Sequence, residues 1–121
     1  MTKHTGPTNP VTISLIRDLR MLGVKENAQI WKDIAKWLEK SSRQRPAVNL
    51  SKLEKFYDDK LEIIVPGKVL ADGIIIKPVK VSALSASGSA ISKLESVKGS
   101  FTTISELMKK NPKGKNLRII V

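Results

Sequence analysis

Apolar residues change their spacing near residue 61, and the change separates a helical portion of the chain from one built mainly of strands. Leu15, Ile16, Leu19 and Leu22 fall at i, i+1, i+4 and i+7, which predicts a helix from Thr12 with Gly23 as its stop. A second helix is predicted from Ala28 to Glu39, with Ile30, Trp31, Ile34, Ala35, Trp37 and Leu38 on one broad face and Lys32, Asp33, Lys36 and Glu39 on the other. Leu50, Leu53, Phe56 and Tyr57 restore helical spacing for about two turns, entered through Asn49 or Ser51 as cap and ending near Asp58 and Asp59.

From Leu61 the residues become those of strands. Leu61 to Val65, a turn at Pro66-Gly67, Val69 to Ala71, a turn at Asp72-Gly73 and Ile74 to Leu84, interrupted by Pro78, read as short strands and not as a long sheet. Ile91, Leu94 and Val97 predict a short helix ended by Gly99. Thr103-Ile104-Ser105-Glu106 has the form of a capping box, opening a last helix through Lys110, and Leu117 to Val121 reads as a terminal strand after the turn Asn111-Pro112-Lys113-Gly114. The whole is an α/β chain behind an α-helical N-terminal portion, read as one domain over residues 1–121. Residues 1–10, with two prolines and a glycine and no periodic pattern, are expected to be an extended arm.

Composition narrows the chemistry. A chain of 121 residues can bury a core without staples and should have a radius of gyration of roughly 13 to 14 Å. It has no cysteine and only His4, so a thiolate zinc site, a cysteine nucleophile and a Ser-His-Asp relay are all poorly served. No metal, cofactor or small-molecule substrate is expected, and Asp58, Asp59 and Glu62 at a helix end read as solvated acids, not as a catalytic set. Val81 to Ser92 lacks charge but holds five serines over 12 residues, too short and too polar to span a membrane. With no apolar leader at the start either, the expectation is a cytoplasmic, unprocessed protein that is not an enzyme.

Charge supplies the positive argument. Lys plus Arg number 22 against 11 Asp plus Glu, a formal charge of +11 carried by both halves, and such a field attracts polyanions. The segment from Lys40 to Lys52 contains no acid. Its Lys40, Arg43, Gln44, Arg45, Asn49 and Lys52 suit phosphate, 2′-hydroxyl or base-edge contacts in RNA, and the segment reads as a basic loop. Lys68 follows Gly67, but Glu62 and Val69 stand where a phosphate-binding loop needs Gly and Ser or Thr. The remaining readings are a solvated turn and a turn that sets Lys68 on an RNA phosphate. After Glu106 come five basic residues and no acid, with Lys113 and Lys115 as candidate contacts, although lysines beside a helix C-terminus also answer its dipole. Trp31 and Trp37 sit on an aliphatic face, so core packing is favoured over base stacking, and with five aromatics in all stacking is not the main binding device.

Four segments together resemble the archaeal and eukaryotic large-subunit ribosomal protein L-eighteen-e family: Lys36 to Lys40, Arg45 to Leu53, Val65 to Leu70 and on through Ala83, and Asn111 to Gly114 followed by Leu117-Arg118-Ile119. The resemblance runs from Asn9-Pro10 onward, and the short length is like that of archaeal members. One departure is Ser42, where the family usually has Lys or Arg. The resemblance implies an irregular superhelix of strand, strand and helix units, a structural role in the large ribosomal subunit, and large-subunit ribosomal RNA and neighbouring ribosomal proteins as partners. The competing reading is a basic nucleic-acid-binding protein outside the ribosome, an RNA chaperone or chromatin protein.

Overall fold

The computed structural model describes residues 10–40 and 45–121, so residues 1–9 of the arm expected over 1–10 and the predicted contacts Arg43 and Gln44 lie outside the described residues, while Pro10 belongs to a helix and not to the arm. Helix α1 (Pro10–Lys25) opens on a proline, whose fixed φ suits the first helical turn, and buries Thr12, Leu15, Ile16, Leu19 and Gly23 along one stripe. Gly23 does not stop the helix as its residue type predicts. It is buried where α2 (Gln29–Leu38) crosses, and a Cβ there would come 2.7 Å from Lys32 Cγ. The stop is instead Asn27, in the left-handed region at φ 53°, a conformation asparagine tolerates. α2 buries Trp31, Ile34, Ala35 and Leu38.

The rest of the chain is β1 (Ala47–Asn49), α3 (Leu50–Lys55), β2 (Glu62–Leu70), β3 (Lys80–Ala86), α4 (Gly88–Ser96), β4 (Ser100–Thr103), α5 (Ile104–Lys110) and β5 (Leu117–Ile119). All five strands are parallel, in the order β1, β2, β3, β4, with β5 also paired to β2. β3 occupies one edge of β2. The other is divided between β5, paired from Glu62↔Leu117 to Ile64↔Ile119, and β1, paired from Ala47↔Lys68 to Asn49↔Leu70.

Two predictions about this region need correction. Pro66-Gly67 is not a turn between two strands but a bulge inside the single strand β2, where the register against β3 slips between Val65 and Lys68. Proline lacks the N–H that a regular ladder needs and is tolerated at such a bulge, and Gly67 lets the Pro46 carbonyl approach a point only 2.0 Å from where a Cβ would sit. Nor is Lys40 to Lys52 a loop throughout, since Ala47–Asn49 joins the sheet and Lys52 lies on α3.

Helices cover both faces of the sheet. On one face Val48, Ile63, Val65, Val69, Val81 and Ala83 meet Leu50 and Leu53 of α3 and Ala90 and Leu94 of α4. On the other, Ile64 lies beneath a cluster drawn from α1, α2 and α5, including Leu19, Trp31, Ile34, Leu38, Ile104 and Leu107. Burial on two faces explains the unbroken apolar run of β2.

Residues Ile74 to Ile76, predicted as strand, form part of the connection from β2 to β3. β4 goes unpredicted because Phe101 is its one strongly apolar residue, yet it pairs along β3 from Lys80↔Ser100 to Ala83↔Thr103, with Ser82 Oγ and Thr102 Oγ1 2.7 Å apart. The capping box forms as predicted: Glu106 N–H donates to Thr103 Oγ1, and the Glu106 carboxylate accepts from the Thr103 N–H.

Candidate nucleic-acid interface

In a parallel sheet the strands share one direction, so basic residues after or before them collect at two opposite ends. At the C-terminal end lies the row Ala47, Lys68, Ser85, exposed in all three strands, while the adjacent row through Val48 and Val69 points into the core beneath α3 and α4. Lys68 is therefore directed to solvent by strand alternation and not by a turn. Its backbone N–H donates to the Pro46 carbonyl at 3.1 Å, which brings the segment entering β1 against it.

Arg45 reaches this place from the neighbouring residue. Its guanidinium is half-buried, and Nη2 donates to the Leu38 carbonyl at 3.3 Å, answering the negative end of α2. Its Nε is buried without a hydrogen-bond partner. Lys40, two residues past α2, is exposed, with its ammonium 5.1 Å from the centroid of the half-buried Trp37 ring. Lys40 and Lys68 are thus both exposed, while Arg45 is partly committed to the protein. Asn49 occupies the N-cap position of α3 but makes no side-chain cap bond, so its amide is not used there.

Lys52 belongs to neither end. From α3 its ammonium donates to the backbone oxygen of Val121, an internal use that charge alone did not reveal.

At the N-terminal end of the sheet, Lys113 and Lys115 stand exposed on the turn before β5. The turn is built rigidly. Asn111 Nδ2 donates to the Lys115 carbonyl at 2.8 Å, Trp31 Nε1 donates to the Pro112 carbonyl at 2.8 Å, and Gly114, at φ 66°, leaves no room for a Cβ beside Ile30. The buried Trp31 is thus a bolt for this turn and not a platform for bases. Beside the turn, a polar cleft of about 230 Å³ is lined by Lys60, Lys80 and Lys115 and by two acids, Asp59 and Glu62, together with Asn111 and Asn116. Lys60 and Lys80 were missed in the sequence reading. Their signal is position: Lys60 stands just before β2, the strand that pairs with β5, and Lys80 opens β3 on the other edge of β2.

Among the described residues no group of three His, Cys, Asp or Glu side chains could hold a metal ion, and no helix is long and apolar enough to cross a membrane. The arrangement defines a class: an α/β body with a parallel sheet covered by helices, its exposed cations spread over the surface and including Lys68 toward one end of the sheet and Lys113 and Lys115 at the other, suited to contact with a polyanion.

The chain belongs to the ribosomal protein family described as 60S L18 and 50S L18e, whose model matches residues 2–121. It is 42% identical over 120 residues to the large ribosomal subunit protein eL18 of Methanothermobacter thermautotrophicus, covering 99% of each chain. The eL18 of Archaeoglobus fulgidus is 44% identical over 114 residues, covering 94% of this chain and 97% of its own. That of Methanopyrus kandleri is 41% identical over 121 residues, covering 96% and 95%.

Proposed function

We propose that this protein is a structural constituent of the large ribosomal subunit that binds large-subunit ribosomal RNA, packs beside neighbouring ribosomal proteins and works in the cytoplasm without catalysing a reaction. The observation that carries this reading is the family match along nearly the entire chain. The physics supports it, because lysines at both ends of a stiff sheet neutralise phosphates of separate RNA segments and release their counterions. Lys40, Arg43, Gln44, Arg45, Asn49 and Lys68 form one group of proposed contacts and Lys113 with Lys115 a second, while Lys52 contributes only if RNA displaces its internal bond. The succession β2, β3, α4 supports reading the fold as an irregular superhelix of strand, strand and helix units behind the N-terminal helices, although β4, α5, β5 after it runs strand, helix, strand.

Two measurements test this. A tagged copy should sediment with large subunits through high salt, and a free chromatin protein or RNA chaperone would leave them. With purified protein and a large-subunit RNA fragment, replacing Lys40, Lys68, Lys113 and Lys115 by Ala should leave the fold intact and lower the slope of log affinity against log salt by about 0.7 to 0.9 for each phosphate contact removed. An unchanged slope refutes the assignment of these four.

A further inference from the structure

The connection from β2 to β3 is a crossover without a helix. Parallel strands require the chain to return along the full length of the sheet, and only the residues from Ala71 to Val79 are available to do so. At roughly 3.3 to 3.6 Å per residue they must run nearly extended to reach the start of β3, with little slack. Their side chains alternate accordingly: Ile74 and Ile76 are 80% and 75% exposed, and Ile75 between them is buried in the core with α3 and α4.

This segment is held firmly. Glu54 Oε1 accepts from the backbone N–H groups of Ile76 at 2.8 Å and Lys77 at 3.0 Å, and its other oxygen lies 3.8 Å from the Lys77 ammonium. The Asp72 carbonyl accepts from the Ser51 N–H at 3.3 Å, and Lys93 Nζ donates to the carbonyls of Ala71 at 2.9 Å and Gly73 at 3.4 Å. Gly73, at φ 100°, presses so closely on Ser51 that a Cβ would lie 2.5 Å from the serine Cβ. Two helices therefore fix a strap whose outward side chains are two isoleucines. Leaving both in water forgoes the stabilisation that burial of a large aliphatic side chain would supply.

We infer that Ile74 and Ile76 are a docking prong for a protein neighbour in the large subunit, one that offers an uncharged recess lined by aliphatic or aromatic side chains. This rests on the ribosomal reading proposed above. Charge decides between protein and RNA as the occupant. In a chain of +11, residues 71–79 carry one acid, Asp72, and one base, Lys77, which is neutral on balance. The cations nearby are already engaged, Lys77 with Glu54 and over the Tyr57 ring at 5.7 Å, and Lys93 with two carbonyls. The two isoleucine tips themselves offer phosphate nothing, and they supply neither donors and acceptors for base edges nor a flat surface for stacking. A rigid apolar projection suits a protein recess, where an ordered segment loses little further freedom on binding.

The test is the full-length double variant Ile74→Asp with Ile76→Asp, alongside Ile74→Leu with Ile76→Leu. Both should unfold near the wild-type temperature, because the replaced side chains face solvent, and both should bind a large-subunit RNA fragment within about twofold of wild type with an unchanged salt slope. Expressed in competition with the wild type, the aspartate variant should enter large subunits about tenfold less or worse, and the leucine variant should enter normally. Equal entry of the aspartate variant overturns the prong. So does a parallel loss of affinity for the RNA fragment, which would make the segment an RNA contact. A wild-type protein absent from large subunits would remove the underlying ribosomal reading instead, a result distinct from either.

Discussion

Two glycines show how differently one residue type serves this chain. At Gly67 an added methyl would collide with the Pro46 carbonyl, backbone against backbone, with no side chain able to swing away. Gly67→Ala should therefore separate β1 from β2 and cost about 4 kcal/mol or more, read as a collapse of the urea midpoint. Gly88, the first residue of α4, has nothing within 4 Å of such a methyl, and Gly88→Ala should stabilise by about 0.4 to 1 kcal/mol. Glu54 carries the chemistry at this scale. Desolvation works to raise its pKa, but the N–H groups of Lys77 and Ile76 and the Lys77 ammonium outweigh it and bring the carboxyl below its ordinary value of 4.5. A depressed folded value means that its contribution is complete above the ordinary value and disappears as pH falls through the folded one. Hydrogen exchange at the Ile76 and Lys77 amides should follow that course, with protection constant from neutrality down to about pH 5 and lost below the ordinary carboxylate range. Glu54→Gln should abolish the pH dependence and destabilise by about 1 to 3 kcal/mol.

Elements with strong local signals were legible, and those defined by distant partners were not. The apolar stripes of α1 and α2 and the capping box of α5 could be read because they lie within a few neighbouring residues. In α5 the reading can be tested: Thr103→Ala should cost about 1 kcal/mol, measured by thermal unfolding, and Thr103→Ser much less, since the hydroxyl is what caps. β4 was invisible because Ser100, Thr102 and Thr103 are strand residues only by virtue of lying beside β3. Pro66-Gly67 looked like a turn for the opposite reason, a strong local signal overruled by neighbouring strands and by the close approach of Pro46. Ile74 to Ile76 had strand composition, and the demands of a short crossover placed them outside the sheet.

For the whole molecule, net charge foretold the class of partner and left its geometry unspecified. Neither the placement of Lys68 and of Lys113 with Lys115 toward opposite ends of the sheet nor the internal use of Lys52 and part of Arg45 can be counted from composition. Position, which decides whether a lysine faces solvent or a carbonyl, comes from strand register for Lys68 and from the packing of α3 and α4 for Lys52 and Lys93. β2 shows how far that dependence extends. One of its edges is filled by β1, from shortly before it in the chain, and by β5, which follows only after β3, α4, β4 and α5. Contacts so separated in sequence raise the contact order and slow folding toward the millisecond-to-second regime typical of non-local pairing. Until β5 docks, the first third of β2, Glu62 to Ile64, is a bare strand edge, open to pairing with any other chain. A newly made molecule therefore passes through a sticky interval whose length is set by how quickly its two distant segments find the same strand.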